Sequence, residues 1–247
     1  MLIGGLLIMV DILLFSTGVD SVISYYYLKR EKLIHNPIKV YVNLNHRYTE
    51  IEERYIRRYY PDTIIIKGFD MKSFEEYDAF IPNRNIILAS IVSAYFYNES
   101  NIRLYFGGLR DDRVEDNNEK FFNSLSETLS LSLNRNIIVK SAFDFKLSKY
   151  EIVEWFRKYY DGYELIEKTF SCYNPNMYKS NPHCYSCRAC FRRNVSLQDI
   201  TRLPFDRDLA SQYYSELLKN PDKYDKVRYE KSIEYCKKIL GILYEER

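Results

Sequence analysis

The stretch Val10-Asp11-Ile12-Leu13-Leu14-Phe15-Ser16-Thr17-Gly18-Val19-Asp20-Ser21 decides the fold. Val10 to Phe15 is a short apolar run that reads as a buried strand, ended by Ser16-Thr17-Gly18. Val19 to Lys32 follows as a helix. Small and hydroxyl residues at such a strand-to-helix turn let backbone N–H groups face a concave site. The helix N-terminus adds partial positive charge, so the turn suits phosphate or pyrophosphate. The hydroxyls of Ser16, Thr17 and Ser21 are further donors. No Lys follows Gly18, so this is neither a Walker loop nor a GxGxxG turn. The plainer alternative is an ordinary helix cap with Ser16 or Thr17 at the N-cap.

Upstream, Met1 to Phe15 is almost continuously apolar. It falls short of the roughly 20 residues of a membrane span, and it carries Asp11. It lacks the basic leader and small-residue cleavage site of a signal peptide. With no targeting segment, a cytoplasmic protein is expected. Met9 is a second candidate start, which would leave Met1 to Ile8 as an extension.

Downstream, strands are predicted at Pro37–Asn43, Thr63–Lys67, Ile102–Phe106 and Asn136–Val139. Helices are predicted between them at Glu50–Tyr60, Asn85–Tyr97 and Asn118–Leu133, and then at Lys149–Tyr160. This alternation predicts an α/β fold with a doubly wound parallel sheet. Ligands on such sheets sit at the carboxyl ends of the strands, where the loops after Phe15, Asn43 and Phe106 should meet. After about residue 168 the periodicity stops, and Phe170 to Ser186 holds Asn, Pro, Ser, His and Cys. From Leu209 the chain reads as helical again. The expected division is an α/β nucleotide-binding domain over 9–168 and a zinc-binding segment with C-terminal helices over 169–247.

Composition narrows the function. The 247 residues carry 36 Lys and Arg against 34 Asp and Glu, a net charge of +2. That balance gives no electrostatic argument for nucleic acid or an anionic membrane. Hydrophobic residues at 46% and charged residues at 28% exclude a disordered chain. Four of the five cysteines, Cys172, Cys184, Cys187 and Cys190, lie within one short loop-rich stretch as C, eleven residues, then CxxCxxC. Four thiolates at this spacing predict a closed tetrahedral zinc site, structural rather than catalytic. His183 adjoins this set without being needed as a fifth ligand, and Cys236 is expected to pack as a small apolar residue. The 25 tyrosines are read mostly as core and rim.

Ser16-Thr17-Gly18-Val19-Asp20-Ser21 resembles the SGGxDS pyrophosphate loop of the N-type ATP pyrophosphatases, with Thr17 where Gly is usual. Thr169-Phe170-Ser171-Cys172-Tyr173 followed by CYSCRACFRR is similar to the T-x-S-C-Y … C-x-x-C-x-x-C-x-x-R signature of the 7-cyano-7-deazaguanine synthases, the QueC family. Pro82-Asn83-Arg84-Asn85 resembles the P-x-R-N turn of that family, and Leu147 to Glu151 its late T/S-K-x-E segment. Asn45 to Ile51 is a looser counterpart of Q-R-H-x-x-E-I. The resemblance covers about residues 10 to 195.

It implies an ATP pyrophosphatase (HUP-like) fold that converts 7-carboxy-7-deazaguanine and ammonia to the nitrile with two ATP. Ser16, Thr17, Gly18, Val19, Asp20 and Ser21 would bind pyrophosphate, with Arg84, Asn85 and Gly107 near the nucleotide. Asp20 would hold or organise Mg²⁺, and Lys149 would bridge phosphate and acyl oxygens. One of Asp111, Asp112 and Asp116 is the expected reader of the base, and Tyr173 its stacking partner. The resemblance also allows a homodimer. Three alternatives remain open: amidation or conjugation of the same carboxylate, tRNA sulfur transfer, and a zinc-ribbon nucleic-acid binder using Arg188, Arg192 and Arg193. No membrane partner is expected. N-terminal mass spectrometry of native protein separates the two candidate starts, Met1 and Met9; an intact Met1 contradicts the second.

Overall fold

The computed structural model describes residues 9–176 and 181–242. The proposed extension, Met1 to Ile8, lies outside them. Five strands form one parallel sheet: β1 (Val10–Leu14), β2 (Ile38–Val42), β3 (Ile64–Ile66), β4 (Asn101–Phe106) and β5 (Asn136–Ser141), in the order β3-β2-β1-β4-β5. The crossovers are α1 (Val19–Glu31), α2 (Thr49–Tyr59), α3 (Arg84–Tyr95) and α4 (Glu119–Leu133), and α5 (Lys149–Tyr159) follows β5. The chain is therefore α/β and doubly wound, and each predicted element appears within a few residues of its expected bounds.

Side chains alternate across β1 because the strand period is two. Ile12 enters one core cluster with Val40, Leu104, Ala89 of α3 and Phe122 of α4. Leu13 enters the other with Tyr105, Val22 and Ile23 of α1 and Ile152 of α5. Both are fully buried, as a strand covered on two faces requires. Asp11 lies beside Arg103 in the β1–β4 register and pairs with it at 3.1 Å. Burial raises the Asp11 carboxyl, and Arg103 counters that. No helix among the described residues is long and apolar enough to cross a membrane.

Beyond β5 and α5 come α6 (Gly162–Lys168), α7 (Arg188–Leu197), α8 (Arg207–Lys219) and α9 (Lys226–Leu240). Sequence periodicity missed α6 and α7. Each begins at a side-chain cap rather than at an apolar stripe: Asp161 accepts from the Tyr163 N–H, and the Cys187 thiol accepts from the Cys190 N–H. A third core cluster joins Ile51 of α2 to Phe170, Cys172, Cys187, Cys190, Phe191 and Tyr235. Cys236 is fully buried there and packs as an apolar residue; burial pushes its thiol up to about 12.

The turn after β4 is tight at Gly108. A Cβ there would lie 2.6 Å from Phe145 Cε1 and 2.8 Å from Asn117 Oδ1. Gly108→Ala should destabilise the protein by about 1–3 kcal/mol, lowering the denaturant midpoint at unchanged slope. An unchanged midpoint contradicts this packing.

Candidate active site and metal centre

Strand order reverses at β1, with β2 on one side and β4 on the other, which opens a crevice at their carboxyl ends. The loops after β1, β2 and β4 do meet there, around a cleft of about 360 Å³. Of the predicted site residues, Ser16, Gly18, Asp20, Ser21, Arg84, Asn85, Gly107 and Lys149 line it. Thr17 and Val19 are fully buried, Val19 in the core below the loop. The Thr17 hydroxyl therefore offers the cleft no donor; its carbonyl instead accepts the Phe170 N–H at 2.8 Å. Thr17 is not in the left-handed region, so its Cβ costs no strain.

The loop folds on itself. The Ser16 N–H donates to Ser21 Oγ at 2.8 Å, and the Gly18 N–H to Ser16 Oγ at 3.3 Å. The N-cap of α1 is Gly18 rather than Ser16 or Thr17, and no side chain caps the helix. The donors of its first turn are thus left for a ligand, and a helix N-terminus favours an anion. Lys149 Nζ donates to Asp20 Oδ2 at 2.9 Å, while Asp20 Oδ1 is buried without a hydrogen-bond partner among the described residues. That orphan acceptor fits a divalent cation. Lys149 is held in place by its own helix end. Ser148 and Glu151 form a reciprocal capping box, and Asp111 Oδ1 accepts the Lys149 N–H at 3.0 Å.

Opposite the β1 loop, the Asn85 side chain donates to the Asp116 carbonyl at 2.8 Å and ties α3 to the turn after β4. Asn83 precedes α3 in the left-handed conformation and makes no side-chain cap, and Asp116 instead accepts the Asn85 N–H of the first turn at 3.4 Å. Asp111 and Asp112 are not free readers of a base. Arg192 Nη2 lies 3.1 Å from Asp112 Oδ1 and 3.6 Å from Asp111 Oδ2, and Asp112 Oδ2 accepts from the Leu109 N–H and Asn117 Nδ2. Burial raises the Asp112 carboxyl against the pull of Arg192. Burial also opposes the charge on Arg192, but Asp112, Asp111 and Asp20 outweigh it and hold the guanidinium firmly protonated.

Sequence reasoning missed the wall beyond β2. His46, Tyr48 and Glu52 line the cleft with Tyr41 and Tyr173. Tyr41 Oη donates to Glu52 Oε2 at 2.9 Å, and His46 Nε2 lies 3.4 Å from the same oxygen. His46 Nδ1 is 2.9 Å from Thr49 Oγ1. Tyr48 lies between His46 and Tyr173, with ring centroids 4.0 and 6.1 Å away. The one signal was the stretch Asn45 to Ile51, which stops a residue short of Glu52.

The four predicted zinc ligands come together. The Sγ atoms of Cys172, Cys184, Cys187 and Cys190 all lie within 4.8 Å of one another. Tetrahedral zinc with bonds of roughly 2.3 Å needs edges of about 3.8 Å, and Cys184 Sγ to Cys190 Sγ is 3.9 Å. Main-chain N–H groups of Cys184, Ser186 and Cys190 point at Cys172, Cys184 and Cys187 sulfurs at 3.3–3.4 Å, which suits thiolates. The cluster can therefore hold zinc. His183 is no ligand of this set: its Nε2 accepts the Ser171 N–H at 3.3 Å. Burial, helped by Arg193, drops its pKa to about 3 and keeps it neutral.

The site defines a class: a cleft at the switch point of a parallel α/β sheet, with an uncapped strand-to-helix loop on one lip and a four-cysteine cluster able to hold a metal beside one wall. Residues 60–201 match the family described as Queuosine biosynthesis protein QueC. The chain belongs to the QueC family. It is 28% identical over 122 residues to 7-cyano-7-deazaguanine synthase 1 of Desulfitobacterium hafniense (strain Y51), covering 48% of this chain and 50% of that protein. The chain thus spans about half the length of the curated relative it matches.

Elemental analysis should find one zinc per chain, reduced by Cys187→Ser. Stripping the metal should lower the melting temperature, because three of the thiols are part of the third core cluster. A metal-free protein with unchanged unfolding contradicts the assignment.

Proposed function

We propose that this protein uses ATP to convert 7-carboxy-7-deazaguanine and ammonia to 7-cyano-7-deazaguanine. The observation that carries the proposal is the pairing of Lys149 with Asp20 beside an uncapped α1 N-terminus in the cleft. Family membership and the name of the bacterial relative support the substrate class.

The chemical problem is the leaving group, because a carboxylate would have to expel oxide. Transfer of AMP to a carboxylate oxygen releases pyrophosphate and makes AMP the leaving group. Ammonia then displaces AMP and loses a proton to give the amide. Transfer of a second AMP to the amide oxygen releases a second pyrophosphate, and loss of AMP and both amide protons then gives the nitrile. The chain's part is to position reactants and stabilise charge. The first-turn N–H groups of α1 and the Ser16 and Ser21 hydroxyls would hold the departing pyrophosphate. Lys149 would stand between phosphate and acyl oxygens, and Arg84 and Asn85 near the nucleotide. Mg²⁺ held at Asp20 Oδ1 would supply neutralising charge on the phosphates. Zinc on the four thiols would close the wall without an open position for chemistry.

In this reading residues 9–168 bind the nucleotide and 169–247 complete the substrate wall. A nucleic-acid role for the zinc segment has less support. Arg192 is bound to Asp111 and Asp112, and Arg193 is 1% exposed and donates to the Ile166 carbonyl. Sulfur transfer would need catalytic thiols, and the remaining cysteine, Cys236, is fully buried.

The test is to incubate pure protein with ATP, Mg²⁺, ammonium and 7-carboxy-7-deazaguanine and weigh the products. Nitrile, AMP and pyrophosphate are expected, with Asp20→Asn and Lys149→Met each slower by about 100-fold or more. Product stopping at the amide or at another conjugate selects those alternatives. Neither nitrile, amide nor AMP rejects the proposal.

A further inference from the structure

We infer that Glu52 reads the N–H edge of the substrate's bicyclic ring, in a subsite walled by Tyr48 and Tyr173; this rests on the function proposed above. A 7-deazaguanine ring carries N1–H and the 2-amino group side by side, two parallel donors. A carboxylate presents two parallel acceptors and meets such an edge in a bidentate way. The corresponding edge of adenine offers one donor beside an acceptor, so a carboxylate here separates the base from the nucleotide.

Each of the other cleft carboxylates is engaged by a cation or by a neighbouring loop or helix. Asp20 holds Lys149, Asp112 holds Arg192 and Asn117, and Asp116 faces the Asn85 main chain at 3.4 Å. Glu52 differs. It is 6% exposed, lines the cleft, and makes no ion pair with Lys or Arg among the described residues. Tyr41 Oη and His46 Nε2 both approach Oε2, at 2.9 and 3.4 Å, leaving Oε1 without a hydrogen-bond partner among the described residues. The Tyr41 hydroxyl donates to Oε2, and the His46 ring, held at Nδ1 by Thr49, lies against the same oxygen, so the carboxylate is oriented before any ligand arrives. Tyr48 is 9% exposed and packed between His46 and Tyr173, which gives the subsite a flat, rigid flank. A buried carboxylate held in place, with no Lys or Arg paired to it among the described residues, is poised for a ligand rich in N–H donors.

Titration calorimetry on the full chain tests this, with 7-carboxy-7-deazaguanine, its 2-deamino analogue and Mg-ATP as separate ligands. Wild-type protein should bind the 2-deamino analogue about 30-fold or more weakly than the parent base. Glu52→Gln should lose a similar factor for the parent base, lose nothing further with the analogue, and bind Mg-ATP as the wild type does. The ligand pair needs no variant, so it decides the matter even if Glu52→Gln does not fold. Equal wild-type affinity for the two bases, or a Glu52→Gln defect that falls equally on Mg-ATP, overturns the inference while leaving the proposed activity standing. A wild-type protein that binds neither base overturns both.

Discussion

Everything in this molecule depends on β1 having parallel neighbours on both sides whose crossovers leave to opposite faces. That constraint alone opens a crevice at the carboxyl end of β1. α1 begins on one lip of the crevice without a side-chain cap, and the Gly107-Gly108 turn forms the other. The hydrophobic reason is ordinary. Ile12 and Leu13 must bury on opposite faces, so helices must cover both. The chemical result is a helix N-terminus that no side chain caps among the described residues, at the edge of a pocket that also holds a lysine.

The metal module completes this pocket rather than hanging from it. Phe170 reaches back to the Thr17 carbonyl, and Arg192 of α7 crosses to Asp111 and Asp112. Both links begin within two residues of a cysteine of the four-thiol cluster. An ion closing the four thiols would fix the positions of α7 and of the strip Thr169–Tyr173, and through them one wall of the cleft. That would account for a structural cluster lying next to the proposed active site.

The fold and the metal centre were legible in the sequence because each rests on local, periodic or spacing signals. Short apolar runs gave the strands, and CxxCxxC gave the ligands. The rest of the site depends on helix register that such signals do not carry. In Glu50-Ile51-Glu52-Glu53 every acidic residue looks like a solvated helix face, yet α2 turns Ile51 and Glu52 inward together. Arg192 and Arg193 look equivalent, yet the rotation of about 100° between neighbouring residues of a helix sends the first to the cleft carboxylates and the second into the core. Asp111 and Asp112 read as an acidic loop and prove to be anchors for Lys149 and Arg192. Thr17 looked like a donor to phosphate and is instead a buried link to Phe170.

The central claim is that the carboxylate is activated by transfer of AMP. Substrate labelled with ¹⁸O in both carboxylate oxygens tests it directly, with the AMP released in the reaction analysed by mass spectrometry. The account predicts one ¹⁸O in each AMP, the first appearing as the amide forms and the second as the nitrile forms. Unlabelled AMP, or ADP and phosphate in its place, would contradict it.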